Sequence, residues 1–313
     1  MSDERIHPLQ HALTWLEARK PVLLSAVATS RGSTPGTPGA LMVVTDDATA
    51  GTVGGGGVEH HIIRHSRDGE RGIVEWDHAD TANDSLCSGH QTMVVVELTD
   101  GDRSALESAL ERLDRNGCGT LEIGPRGLVF DGGEARPASL VRESAAAWRA
   151  DIPVGLTETL YLAGGGHVAL AVSRVMATLP FRIVVLDNRP QLATLEVNRW
   201  AHDRRIVDWA TVDREVVPGE HSWVVIMTHG HRHDAEVLER LLPLDLRFLG
   251  MLGSKAKVAA VRAKLLAGGA DPDRLAAVHA PVGLPIASHT PPEIAVSIAA
   301  QLVGERNRRP SNA

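Results

Sequence analysis

The stretch TETLYLAGGGHVALAVSRVMATLPFRIVVLDNRP, residues 157–190, reads as strand, glycine turn, helix and second strand. TLYLA is an apolar run of strand length, and HVALAVSRVMA carries apolar residues at helical spacing. Between them Gly164, Gly166 and Ala169 match the G-x-G-x-x-A form of the dinucleotide fingerprint. In that pattern the first glycine permits a tight turn and the second lets a pyrophosphate approach the backbone. The helix start then presents oriented N–H groups. Asp187 ends the second strand, where an acid commonly bonds a ribose hydroxyl, and Arg189 follows it. Gly164, Gly165, Gly166, His167, Asp187 and Arg189 are therefore candidate cofactor contacts. The same residues also suit a fold of this kind whose nucleotide site is vestigial, since a fold does not dictate a ligand.

Downstream, the alternation continues. SWVVIMT (222–228) and DLRFL (245–249) read as strands, with helices over 232–242, 254–267 and 291–304. Thr290, Pro291 and Glu293 form a helix-start signal for the last of these. Strands alternating with helices predict a Rossmann-like, doubly wound parallel sheet over 151–313. Upstream, the beat is lost. Leu9, Ala12, Leu13 and Leu16 mark a helix, VLLSAVATS (22–30) and ALMVVT (40–45) are strands, and further strands fit 72–76 and 92–98. A helix through Leu106, Leu110 and Leu113 and a hairpin near 119–130 complete a mixed α+β domain over 1–150. The boundary is expected within 145–157, where AAAWRADIPVG loses periodicity. The chain is thus read as an α/β protein of two domains.

Composition narrows the function classes. The chain has 313 residues, 43% hydrophobic and 23% charged, as expected of a packed globular protein. A formal net charge of −7 without a basic stripe argues against nucleic acid or an anionic membrane as partner, and 3% aromatics gives little to stack on bases. Two cysteines cannot build a disulfide framework or a Cys-only zinc site. The polar start MSDERIHPLQ lacks a signal-peptide core, and no apolar run reaches the length of a membrane span, so a soluble cytoplasmic protein is expected.

Several further segments carry candidate chemistry. Gly54, Gly55, Gly56 and Gly57, between a short strand and a helix, can wrap an anion with backbone N–H donors, or can fill a turn too crowded for any side chain. Glu59 lies in the following helical turn, where the dipole favours a carboxylate. Arg31 and Ser33 open RGSTPGTPG (31–39), which suits an oxyanion as well as a proline-stiffened hairpin loop. Cys87, in LCSGH (86–90), is a candidate soft-metal ligand or an inert thiol. THGHRHD (228–234) nearly imitates a metallo-hydrolase histidine run, but its His and Asp are exchanged in order. It reads better as a loop facing the sheet's crevice, with His229 available to a ligand. Gly253 and Ser254 begin another helix, which Ser254 can cap, and Lys255 and Lys257 there suit an anion or, equally, a solvated basic face.

In this order, RGSTPGTPGALMVVT, GTVGGGGVE, AGGGHVALAV, VVLDNRP, MTHGHRHD, FLGMLGSK and APVGLPIASHTPPEIAVSIAAQLV resemble the successive blocks of the XdhC/CoxI family, accessory proteins of xanthine dehydrogenase-type molybdenum hydroxylases. The resemblance covers nearly the whole chain. It implies an accessory or maturation factor rather than an enzyme. Such a factor binds the molybdenum cofactor, as molybdopterin or its dinucleotide form, while its sulfido ligand is installed with a cysteine desulfurase, and delivers it to the apo-hydroxylase. It also implies a homo-oligomer and dealings with a molybdopterin nucleotidyltransferase, with a nucleotide possible in the Rossmann cleft. By the same resemblance Cys87 sits where the family often has a Cys-Gly-Gly run and is the candidate ligand near molybdenum, with Ser88 in place of the first of those glycines. Gly36 stands where the family usually has an arginine. The alternative is an NAD(P)-dependent oxidoreductase using the fingerprint at Gly164–Ala169, with His229 or His167 as the proton donor.

Overall fold

The computed structural model describes residues 7–67, 71–78, 88–115 and 117–308. The chain divides into two compact units, Met1–Gly155 and Leu156–Ala313.

The first unit runs α1 (Pro8–Glu17), β1 (Val22–Arg31), β2 (Leu41–Val44), β3 (Thr49–Gly51), α2 (Gly56–Arg67), β4 (Gly72–Asp77), β5 (His90–Leu98), α3 (Arg103–Asp114), β6 (Cys118–Gly124), β7 (Gly127–Asp131), β8 (Ser139–Arg142) and β9 (Trp148–Gly155). It holds a five-stranded antiparallel sheet, β3-β2-β1-β5-β4, and a four-stranded one, β7-β6-β9-β8. Period-two patterning explains the layers. Leu24, Ala26, Val43, Val94 and Val96 pack with α1, α3 and the four-stranded sheet. Their neighbours Leu23, Val27, Met42, Met93 and Val95 point the other way, onto Val58 and Ile62 of α2. β1 is thus buried on both faces from Val22 to Ala28, which is why its apolar residues do not alternate with polar ones and only Ser25 interrupts them.

The boundary segment 145–157, read as losing periodicity, contains strand β9. Trp148, Ala150, Ile152 and Val154 are buried in the core, and Arg149, Asp151 and Pro153 alternate with them. The charges and the proline hide this alternation in the sequence. Arg136 ties the same sheet together, donating to Asp151 at 3.0 Å, Asp131 at 2.7 Å and Glu122 at 2.6 Å.

The second unit runs β10 (Glu158–Ala163), α4 (His167–Met176), β11 (Phe181–Asp187), α5 (Ala193–Glu196), β12 (Asp203–Ile206), β13 (Gly219–Ile226), α6 (His231–Leu241), β14 (Leu246–Met251), α7 (Lys255–Ala267), α8 (Pro272–Ala277) and α9 (Pro291–Asn307). Its sheet is parallel, in the order β12-β11-β10-β13-β14. Leu160, Leu162, Ile183, Val185 and Val225 face α4 and α9. Tyr161, Ala163, Val184, Leu186 and Val224 face α6 and α7. This is the doubly wound Rossmann arrangement read from the sequence, with Thr290 and Glu293 forming the capping box of α9. Strand order reverses between β10 and β13, so the crevice at the switch point opens beyond Ala163 and Ile226. Among the described residues no helix is long and apolar enough to cross a membrane.

Candidate functional site

Each unit carries a glycine turn. In the first unit, the loops at the end of β1, before β5 and after β3 meet at one end of the five-stranded sheet. They meet backbone to backbone. A Cβ on Gly89 would lie 2.5 Å from the Ser33 carbonyl oxygen and 2.6 Å from that of Arg31. One on Gly54, at φ +130°, would lie 2.6 Å from the Gly36 nitrogen, and one on Gly36 would overlap the Val53 carbonyl. Gly36 is therefore a packing residue whose place in this backbone no arginine could take.

Buried Gln91 holds the junction. Its Nε2 donates to the Val53 carbonyl at 3.1 Å, so its Oε1 must accept, and His78 Nε2 stands 2.5 Å away as the donor. The His78 backbone N–H also donates to the Gly89 carbonyl at 2.9 Å. Sequence reasoning passed over both residues, because a Gln in a strand carries no signal until its neighbour is known.

The Gly54–Gly57 turn is anchored by side chains of its own. Gly54 N–H donates to the Thr52 hydroxyl at 3.1 Å, Gly55 N–H to Glu59 Oε1 at 2.9 Å, and the Thr52 hydroxyl to the same carboxylate oxygen at 2.5 Å. Glu59 thus demonstrates that the turn offers an amide to an oxygen anion. A Cβ on Gly55 or Gly56 would meet nothing within 4 Å, so the turn's outer face has room. Arg31 and Ser33 are exposed on the adjoining loop. The amides of Gly54 and Gly55 are thus taken by the chain's own side chains, and the first-turn amides of Gly56 and Gly57, with Arg31 and Ser33, are the donors that suit a phosphate-bearing cofactor. Cys87 lies outside the described residues; Ser88 and Gly89, which follow it, belong to the junction.

In the second unit, Gly164 at φ +123° closes the turn after β10, and a Cβ there would overlap the Met227 carbonyl. The glycine therefore lets β10 and β13 come together at the switch point. Gly165 N–H donates to Asp187 Oδ2 at 2.7 Å, and Thr194 Oγ1 donates to the Gly165 carbonyl at 2.6 Å. Around Gly166 the space is open. Asp187 is 1% exposed and also binds Arg189, through its N–H at 2.9 Å, its Nε at 2.8 Å and its Nη2 at 2.8 Å. Burial pushes the Asp187 carboxyl up. The guanidinium and the two amides outweigh that push and hold its pKa below the usual carboxylate range.

His167 and His229 are exposed, on the first turn of α4 and the loop after β13. Asp234, fully buried, accepts from the Thr228 N–H at 3.0 Å and hydroxyl at 2.7 Å and pairs with Lys257. The His-rich loop is therefore pinned by its aspartate. Lys257, read as facing either an anion or solvent, is instead held inward by that pair. Ser254 caps α7 by accepting from Lys257 N–H at 3.2 Å, and Gly253 packs against the Lys257 stem.

Comparisons with known proteins follow this division. The family described as the XdhC Rossmann domain matches residues 160–302, and the family described as XdhC and CoxI matches residues 15–77. The uncharacterized protein YqeB of Escherichia coli (strain K12) is 26% identical over 300 residues, covering 94% of this chain and 45% of YqeB. A probable xanthine dehydrogenase subunit of Bacillus subtilis (strain 168) is 30% identical over 149 residues, 48% of this chain and 43% of that protein. The chain thus spans under half the length of these curated relatives. The crystal structure of a xanthine dehydrogenase from Bacillus halodurans superposes with a TM-score of 0.71 at 22% identity, covering 98% of both chains, and shares the fold.

Proposed function

This chain belongs to the XdhC and CoxI family, and on that premise we propose that it is an accessory protein that holds the molybdenum cofactor for a xanthine dehydrogenase-type hydroxylase. The cofactor supplies molybdenum redox chemistry to the hydroxylase; this chain supplies a grip. One observation carries the reading most: the loops bearing Arg31, Ser33, Gly54–Gly57 and Ser88–Gly89 meet at a single end of one sheet, with Gly56 and Gly57 exposed at the start of a helix there. In this reading the Gly54–Gly57 turn binds the pterin's phosphate through the amides of Gly56 and Gly57, with Arg31 and Ser33, and Cys87 supplies a thiolate to the metal. The Bacillus subtilis relative, by its name part of a xanthine dehydrogenase, supports a partner of that class. Sulfuration by a cysteine desulfurase, exchange with a nucleotidyltransferase and self-association belong to the same reading.

Reconstitution tests it. An apo-hydroxylase is supplied with molybdopterin, molybdate and a sulfur source, with and without this chain. The chain is expected to raise recovered activity, and Cys87→Ser to lose most of that gain. Equal recovery with and without the chain would overturn the proposal.

A further inference from the structure

The Asp187–Arg189 pair says what the Rossmann crevice selects. In dinucleotide-binding folds an acid at this strand end accepts hydrogen bonds from the ribose hydroxyls. An ionised carboxylate offers about four acceptor positions. Asp187 has filled its own: Oδ1 takes Arg189 N–H and Nε, and Oδ2 takes Gly165 N–H and Arg189 Nη2. At 1% exposure it has no free face to offer a diol. What remains at the surface is the Arg189 guanidinium, its side chain 37% exposed. Among the described residues its Nη1 makes no hydrogen bond, so two N–H donors face outward on a guanidinium that Asp187 holds from behind.

We infer that the crevice takes an anionic phosphomonoester where a dinucleotide fold would take a neutral ribose diol, and that Arg189 is the residue that sets this preference. The carboxylate orients the guanidinium as a rigid fork, and the fork matches phosphate oxygens. A ribose in the same place would meet donors only and would leave its own hydroxyl protons without acceptors. The inference concerns the second unit alone and stands apart from what the glycine turn of the first unit holds.

Calorimetric titration of the full chain with adenosine 5′-monophosphate and adenosine 2′,5′-bisphosphate isolates the added monoester. The bisphosphate is expected to bind roughly tenfold tighter or better, the size of one charge-assisted contact. Inorganic phosphate as competitor distinguishes the sources: displacement of the bisphosphate assigns recognition to the phosphate by itself, and failure to displace it assigns it to a nucleotide-borne phosphate. Arg189→Met should bring the two adenosine ligands within about twofold. If that variant does not fold, Arg189→Lys, which keeps charge and loses the fork, should retain part of the preference. Equal or tighter binding of the monophosphate, or binding of neither adenosine ligand, overturns the inference.

Discussion

Replacing Gln91 by alanine tests how the first unit's loops are held. Gln91 is fully buried and links the Val53 carbonyl, just before the glycine turn, to the His78 ring. Truncation removes both hydrogen bonds at a site buried from solvent. Each buried polar group that loses its partner costs about 1–3 kcal/mol. Allowing for partial relaxation, the loss should be about 2–4 kcal/mol. For a unit of this size each kcal/mol lowers the melting temperature by about 2–4 °C, so Gln91→Ala should melt roughly 5–15 °C lower. Scanning calorimetry reads the shift, and near-ultraviolet circular dichroism checks that the native packing persists below it. Proteolytic nicking near residues 53–57 should quicken, because Val53 loses its tie. A melting point within about 2 °C of wild type, with nicking unchanged, would show that the loops are held by something other than Gln91.

Other predictions follow from the same contacts. Gly54→Ala, at φ +130° with a Cβ 2.6 Å from the Gly36 nitrogen, should destabilise the first unit by more than ~2 kcal/mol. Gly55→Ala, with open space around it, should cost only about 1–2 kcal/mol and leave a folded protein; urea titrations of the two variants compare them. Asp234→Ala leaves Lys257 and Thr228 without their buried carboxylate and should cost about 3–5 kcal/mol. The double variant Asp234→Asn with Lys257→Met should recover part of that loss in the same urea assay. The Asp187 carboxyl titrates below its ordinary value when folded, so its stabilisation is complete above the unfolded value near about 4 and is lost as pH falls through the folded one. Asp187→Asn should therefore flatten the acid limb of a stability–pH curve measured below about pH 4.

The Rossmann unit was legible because its signals are local and repeated: apolar strand runs, helical periodicity in HVALAVSRVMA, and the Thr290–Glu293 cap. Strands β8, β9 and β12 were not, since SLVR, WRADIPVG and DRRI carry charge or proline on their outward faces. The site was legible as a set of loops: Arg31, Ser33 and Gly54–Gly57 fall in the first unit, Gly164–Gly166 and Asp187 in the second, and Cys87 outside the described residues. Their partners were not legible. Whether Asp187 faces a ribose or Arg189 depends on a side-chain turn that no spacing encodes. The Asp234–Lys257 pair depends on how α6 and α7 pack, and the carboxylate of Glu59 on Gly55 depends on the path of the turn.

The proposed grip on a phosphate-bearing molybdenum pterin can be measured on the purified protein. Its most direct measurement is equilibrium binding of molybdopterin, freshly released from a donor enzyme, to the purified full chain. The pterin is counted by the fluorescence of its oxidised derivative and the metal by mass spectrometry. Saturable uptake approaching one pterin per chain is expected, weakened when Arg31→Ala and Ser33→Ala are combined. Pterin passing through unretained, at protein concentrations well above micromolar, would contradict it.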